Sequence, residues 1–475
     1  MSLAGVIVLT RHGDRQGFYQ SPTNYNAVAT NLTILGYLEE YQNGQDIRNL
    51  YLTGANAIAG LDPNTYYWEE LTAMADAGGE GTVIIDSANA FLQGLYPPYN
   101  ETLTLANGTV ISWDRAQSVE LETIESNDEV WLEGYSGCSG WTNRLNAWYK
   151  SPEFTAQAKL ANPFFESLSS ILGPNRPATL QNAWNLFDFL NVESIHNATL
   201  SPLISAQALS QARYWANYHE AGSFTDDDLN NVGNVAGQAI LPPILSAINE
   251  ISNATTGLKF NYIAISYKPF LSLFNLWGLP TALKESVVDY ASAVVIEVRT
   301  DNTMRLLFRN GTQTGGGDSE FIPYALFGSS DANSYPIADF MERMEPYSLN
   351  TLAEWCNKCG ETEQRGCATL AALNGTGGAG YASIDSTEGR HRVSPVVAGV
   401  IGAMVALAVA GFVLALWLLL GGLAKKRRGS SRQEVSSVGS CRGNSVNSHE
   451  GASSFATKAG SDHHIDTKEV ASFDQ

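Results

Sequence analysis

Residues 5–17 read GVIVLTRHGDRQG. The run from Gly5 to Thr10 is apolar and rich in β-branched residues, which predicts a buried strand. It ends abruptly in Arg11, His12, Asp14 and Arg15, so the strand delivers two cations, an imidazole and a carboxylate to its own tip. Shortly after, residues 34–52 (ILGYLEEYQNGQDIRNLYL) space Leu35, Leu38, Tyr41, Ile47 and Tyr51 as an amphipathic helix does. Strand followed by helix predicts an α/β core.

Farther out, from about residue 141 to 251, the periodicity is helical throughout, as in RLNAWYKSPEFTAQAKLANPFFESLSSIL (144–172) and LQNAWNLFDFLNVESI (180–195). Strands return at 260–266 (FNYIAIS) and in the hairpin 292–311 (SAVVIEVRTDNTMRLLFRNG), which turns at Asp301 and Asn302. This order predicts one α/β sheet with a mostly helical insertion, a cap of about 141–251, between its early and late strands.

The chain has 475 residues, 44% of them hydrophobic and 10% aromatic, the composition of a folded globular protein. Its formal charge of −20 is unevenly spread: residues 425–475 hold 8 Lys and Arg against 6 Asp and Glu, leaving −22 on the rest. So acidic a surface argues against nucleic acid as a partner. It suits an acidic medium outside the cell.

Residues 396–424 (VVAGVIGAMVALAVAGFVLALWLLLGGLA) carry no charge and are long enough to cross a bilayer as one helix. Lys425, Lys426, Arg427 and Arg428 follow, which places that side in the cytosol. The expected layout is an ectodomain over 1–376, a stalk over 377–395, a transmembrane helix over 396–424 and a disordered tail over 425–475. Asn-x-Ser/Thr sequons at Asn31, Asn100, Asn107, Asn197, Asn253, Asn310 and Asn374 all precede the span, as a glycosylated, extracellular or lumenal ectodomain requires. Cys138, Cys356, Cys359 and Cys367 also precede it and read as disulfides, with Cys138 pairing at long range to the cluster or Cys359 pairing with Cys367. Zinc is a weak alternative, since CNKCGETEQRGC lacks a fourth ligand. No basic, apolar leader precedes the first strand, so a secretory signal is expected upstream of this sequence. Ala398, Gly402, Ala406 and Ala410 form a small-residue ridge on which two spans could dimerise.

At the strand tip, a neutral imidazole can attack phosphorus while flanking guanidiniums hold phosphoryl oxygens bidentately. Arg11, His12, Gly13 and Arg15 match the Arg-His-Gly-x-Arg motif of the histidine acid phosphatases, the phytase-containing branch of the histidine phosphatase superfamily, with Gly17 where that family has proline. The chain also resembles this family at residues 32–51, 87–98 (SANAFLQGLYPP) and 292–311, and the likeness covers essentially the whole ectodomain. The resemblance implies a phosphoglycerate-mutase-like fold, a phosphohistidine at His12 and phosphate binding by Arg11 and Arg15. No metal or cofactor is expected.

The family has a third arginine four residues before the Ser-Ala of the second segment, where this chain has Val83, and a His-Asp pair where it has Ser266 and Tyr267. A positioned proton donor is worth about 10²–10⁴ in rate, so these replacements predict weak or lost turnover. Tyr267, Asp14 and Asp86 are the candidate substitute acids. His196 and His219 read as satisfied histidines of the helical block. Two readings follow: a membrane-anchored phosphomonoesterase weakened at its site, or a non-catalytic surface protein that binds phosphate, a phosphorylated ligand or a partner protein.

Overall fold

Strand β1 (Leu3–Arg11) lies in the middle of a mixed sheet in the computed structural model of the chain, which describes residues 2–17, 30–77, 82–124 and 130–375. Its side chains alternate between two cores: Ile7 and Leu9 pack in one, Val6 and Val8 in the other, and all four are 0% exposed. A strand covered on both faces has no polar side, which is why its sequence shows no alternation. Each such side chain contributes about 1.5–3 kcal/mol of burial.

β1 runs parallel to β6 (Phe260–Ile265) and antiparallel to β7 (Ala293–Arg299). Beyond β6 come β2 (Leu71–Asp76) and β5 (Glu122–Ile124), both parallel. On the other side β7 pairs with β8 (Thr303–Arg309), which also carries β9 (Ile322–Tyr324) and β10 (Tyr335–Pro336). The expected hairpin is thus β7–β8, and Asn302 makes its turn at φ +62°, in the left-handed region that asparagine tolerates. A separate exposed hairpin joins β3 (Glu101–Thr104) to β4 (Val110–Trp113).

Helices α1 (Ile34–Tyr51) and α2 (Val83–Leu95) cover the Val6/Val8 face through Ile47, Tyr51, Ala88, Phe91 and Leu95. They approach closely through glycine: a Cβ on Gly44 would stand 2.0 Å from the Phe91 carbonyl oxygen, and one on Gly94 2.2 Å from that of Tyr41. The helical block contains α3 (Ser139–Trp148), α4 (Pro152–Ser167), α5 (Ser169–Leu172), α6 (Ala183–His196), α7 (Ala206–Phe224) and α8 (Val235–Ser252). Phe154, Phe165, Leu186, Phe189, Leu190 and Trp215 form a core of their own within it. Helix α8 does not share that core; Ile240, Ile244 and Ile248 join the sheet cluster that holds Ile7 and Leu9. Periodicity reveals a helix's buried stripe but not the surface that buries it, so the cap's own core stops at α7.

Helix α9 (Lys268–Leu276) packs beside α8, and α10 (Thr281–Lys284), α11 (Ile337–Met344), α12 (Leu352–Cys359) and α13 (Cys367–Gly375) complete the fold. Cys138 bonds to Cys359 across 221 residues of sequence, and Cys356 bonds to Cys367. The long-range member of the expected pairings is therefore present. Among the described residues no helix is long and apolar enough to cross a membrane, and the expected stalk, span and tail lie outside the described residues.

Candidate active site

The motif leaves the sheet anchored to both of its neighbours. The Arg11 amide donates to the Ser292 carbonyl at 2.9 Å, the His12 amide to Ile265 at 3.3 Å, and Ala291 donates to the His12 carbonyl at 3.0 Å. The next turn rests on α1 and α2: Gly13 N–H donates to Ser87 Oγ at 3.1 Å and Asp14 N–H to Glu39 Oε2 at 2.7 Å. Backbone meets backbone here, since a Cβ on Gly36 would stand 2.2 Å from the Asp14 carbonyl oxygen. Residues of the sequence segments 32–51 and 87–98 thus hold the loop that follows β1.

His12 is 1% exposed, and its Nδ1 lies 2.9 Å from the Gly13 carbonyl oxygen. A carbonyl only accepts, so Nδ1 carries the hydrogen and the lone pair is on Nε2. Burial first, and then the charges of Arg11 and Arg15, hold the imidazole well below its ordinary 6.5. A neutral ring with an Nε2 lone pair is the form a nucleophile needs, and burial and the neighbouring guanidiniums favour it.

The three motif side chains converge on Tyr290. The His12 ring is 5.6 Å from that ring, and the Arg11 and Arg15 guanidiniums stand 4.4 and 5.9 Å from its centre. Arg11 also lies 5.3 Å from the Tyr267 ring and donates through Nη1 to the Val288 carbonyl, while its buried Nε has no hydrogen-bond partner among the described residues. Arg15 faces a carboxylate: Nη1 and Nη2 lie 3.3 Å from Oδ2 and Oδ1 of Asp188, and the two side chains are 3% and 2% exposed.

The positions where the resemblance implies other residues are all buried. Val83 opens α2 at 0% exposure, and Ser266 sits just past β6 with an Oγ that has no hydrogen-bond partner among the described residues. The Tyr267 hydroxyl donates to Glu220 Oε2 at 2.7 Å, and burial followed by the Glu220 charge pushes the phenol well above 10. Glu220 continues to His219 Nδ1 at 2.6 Å, and His219 Nε2 to the Tyr149 hydroxyl at 2.7 Å, so His219 is a satisfied core residue. Asp14 Oδ2 accepts from His196 Nε2 at 2.7 Å and from Thr33. Asp86 accepts from Thr82 at the start of α2. Each candidate substitute acid therefore already serves a structural bond.

Beside the motif lies a cavity of about 270 Å³ whose wall includes Arg11, Tyr290 and four carboxylates, those of Asp14, Glu39, Asp188 and Asp289. Burial raises Glu39 to about 7, so at acidic pH it is a neutral acid. Arg213 in the same wall pairs with Asp289. Sequence reasoning missed Asp188, Glu39 and Tyr290. For Asp188 a signal existed: Trp184, Phe187, Asp188, Asn191 and Ile195 of α6 all line the cavity at helical spacing.

The class of fold is a mixed α/β sheet with an Arg-His-Gly tip on its central strand. Residues 16–309 match the family model of the histidine phosphatase superfamily (branch 2), and the chain belongs to that family. The match begins one residue after Arg15. The lysosomal acid phosphatase of Xenopus laevis is 24% identical over 366 residues, covering 74% of this chain and 78% of the relative. The prostatic acid phosphatase of Rattus norvegicus is 22% identical over 367 residues, covering 74% and 88%. Among solved structures, the phytases of Citrobacter braakii (TM-score 0.53, 12% identity, 75% of this chain and 99% of that one) and Klebsiella sp ASR1 (TM-score 0.51, 12%, 74% and 97%) share the fold.

Proposed function

We propose that the chain is a membrane-anchored, acid-phosphatase-like protein that binds phosphate and phosphomonoesters at His12, Arg11 and Arg15, and in which turnover through a phosphohistidine is weak or lost. Family membership supports a phosphomonoester hydrolase ancestry. The single observation that carries the weakened reading is the Tyr267 hydroxyl bound to Glu220, which leaves the leaving-group oxygen without its proton donor at the position where the resemblance implies one. His12 keeps the tautomer for attack on phosphorus, and Arg11 keeps its charge beside it. Val83 removes a further cation that would stabilise the transferring phosphoryl group.

The test is hydrolysis of an aryl phosphate across acidic pH by the whole chain in detergent, with His12→Ala and the triple variant Val83→Arg, Ser266→His, Tyr267→Asp beside it. The expected result is slow, His12-dependent turnover that the triple variant raises by orders of magnitude. Rapid turnover by the unmodified chain that His12→Ala abolishes would overturn the weakened reading.

A further inference from the structure

The carboxylate of Asp188 meets Arg15 in the way a phosphate would. Two guanidinium nitrogens each face one carboxylate oxygen at 3.3 Å, and both groups are almost fully buried. A guanidinium offers planar forks that suit a carboxylate and a phosphate equally. We propose that Asp188 is a built-in competitor for the anion: it occupies the fork of Arg15, and phosphate gains that arginine only by displacing it. The inference rests on the phosphate-binding reading above and adds the residue that sets the affinity of the site.

Three observations carry it. Asp188 comes from α6 in the cap, 173 residues from Arg15 in sequence, so the contact is a product of the tertiary fold. The same helix is held at two other points, by Trp184 against the Tyr267 ring at 4.3 Å and by His196 on Asp14 of the motif at 2.7 Å. The carboxylate is therefore aimed at Arg15 by a rigid element. Both distances exceed the 2.7–2.9 Å of a tight charge-assisted pair, so the fork is occupied but not closed. Asp188 also lines the cavity, where a second anion would be forced against it in surroundings that screen charge poorly.

The probe is inorganic phosphate, titrated calorimetrically into the whole chain in mild detergent. Asp188→Asn and Asp188→Ser should bind it at least about tenfold more tightly than the wild type. Phosphate should also raise their melting temperatures by more, and the double variant Asp188→Asn, Arg15→Gln should lose the gain. If Arg15→Gln weakens binding in the wild type but neither Asp188 variant tightens it, the competitor role is overturned while phosphate binding stands. If Arg15→Gln changes nothing in either background, both fall. Removing Asp188 leaves Arg15 buried without its counter-charge, which endangers folding. Phosphate in the refolding buffer should then restore the folded state, and no restoration would overturn the proposal.

Discussion

At the scale of single residues the site is a set of protonation states imposed by burial. Glu39 is 3% exposed and its acid form survives to about 7, against an ordinary 4.5, because burial outweighs the hydrogen bond it accepts from Asp14. The folded state therefore holds a proton that the unfolded chain releases, so this contribution to stability is present below about 4.5 and is lost as pH rises through about 7. Glu40, also raised by burial, acts in the same direction. His12 acts oppositely: held below 6.5, it favours the folded state above that pH and costs stability as pH falls. The two carboxyls outnumber the imidazole, so the protein should be more stable at about pH 5 than at about pH 7.5. In Glu39→Gln that difference should shrink by about 2 kcal/mol, read from urea unfolding at the two pH values. An unchanged difference would remove Glu39 from the account.

At the scale of elements, α1 and α2 hold the motif loop in place only because they approach each other through Gly44 and Gly94. Gly44→Ala puts a methyl group 2.0 Å from the Phe91 carbonyl oxygen, and helices must separate to admit it. The expected cost is about 1–3 kcal/mol of overpacking, less any gain in helix propensity, with a lower aryl phosphate rate as Glu39 and Ser87 shift under the loop. Unchanged denaturation midpoint and rate would show that the helix pair tolerates the spacing. Much of this architecture could be read from the chain. The continuous GVIVLT run announced a strand buried on both faces, the β7–β8 hairpin announced its turn at Asn302, and the charge at the tip of β1 marked the candidate site. What could not be read was which surfaces meet. Helix α8 has the same periodicity as the cap helices yet covers the sheet, and Asp188 is an ordinary acidic residue until α6 is laid against Arg15. Glu39 likewise shows nothing unusual in sequence, since its raised pKa comes from burial in a contact between α1 and the loop.

At the scale of the whole molecule, the acidic ectodomain, its two disulfides and its sequons belong together in the proposed export and membrane anchoring. The structure separates the sequons sharply. Asn31, Asn100, Asn107 and Asn253 are exposed. Asn310 donates to Asp289 Oδ2 at 2.6 Å and accepts at Oδ1 from the Asp289 amide at 2.9 Å and from Ser292 at 3.0 Å. A glycan there would break these bonds beside the cavity, so glycopeptide mass spectrometry should find sugar on the four exposed asparagines and none on Asn310. Occupancy at Asn310 would contradict the arrangement around Asp289.

A neutral His12 that can attack phosphorus with no free proton donor at position 267 is tested most directly by leaving-group dependence. The measurement is kcat/KM of the whole chain, with His12→Ala as control, for an activated aryl phosphate and for a simple alkyl phosphate. An aryl oxygen departs as an anion without help, whereas an alkyl oxygen needs a proton in the transition state. The expected result is slow, His12-dependent turnover of the aryl ester and a far greater loss on the alkyl ester. Fast and comparable hydrolysis of both esters would mean that a working acid stands within reach of His12, and would contradict it.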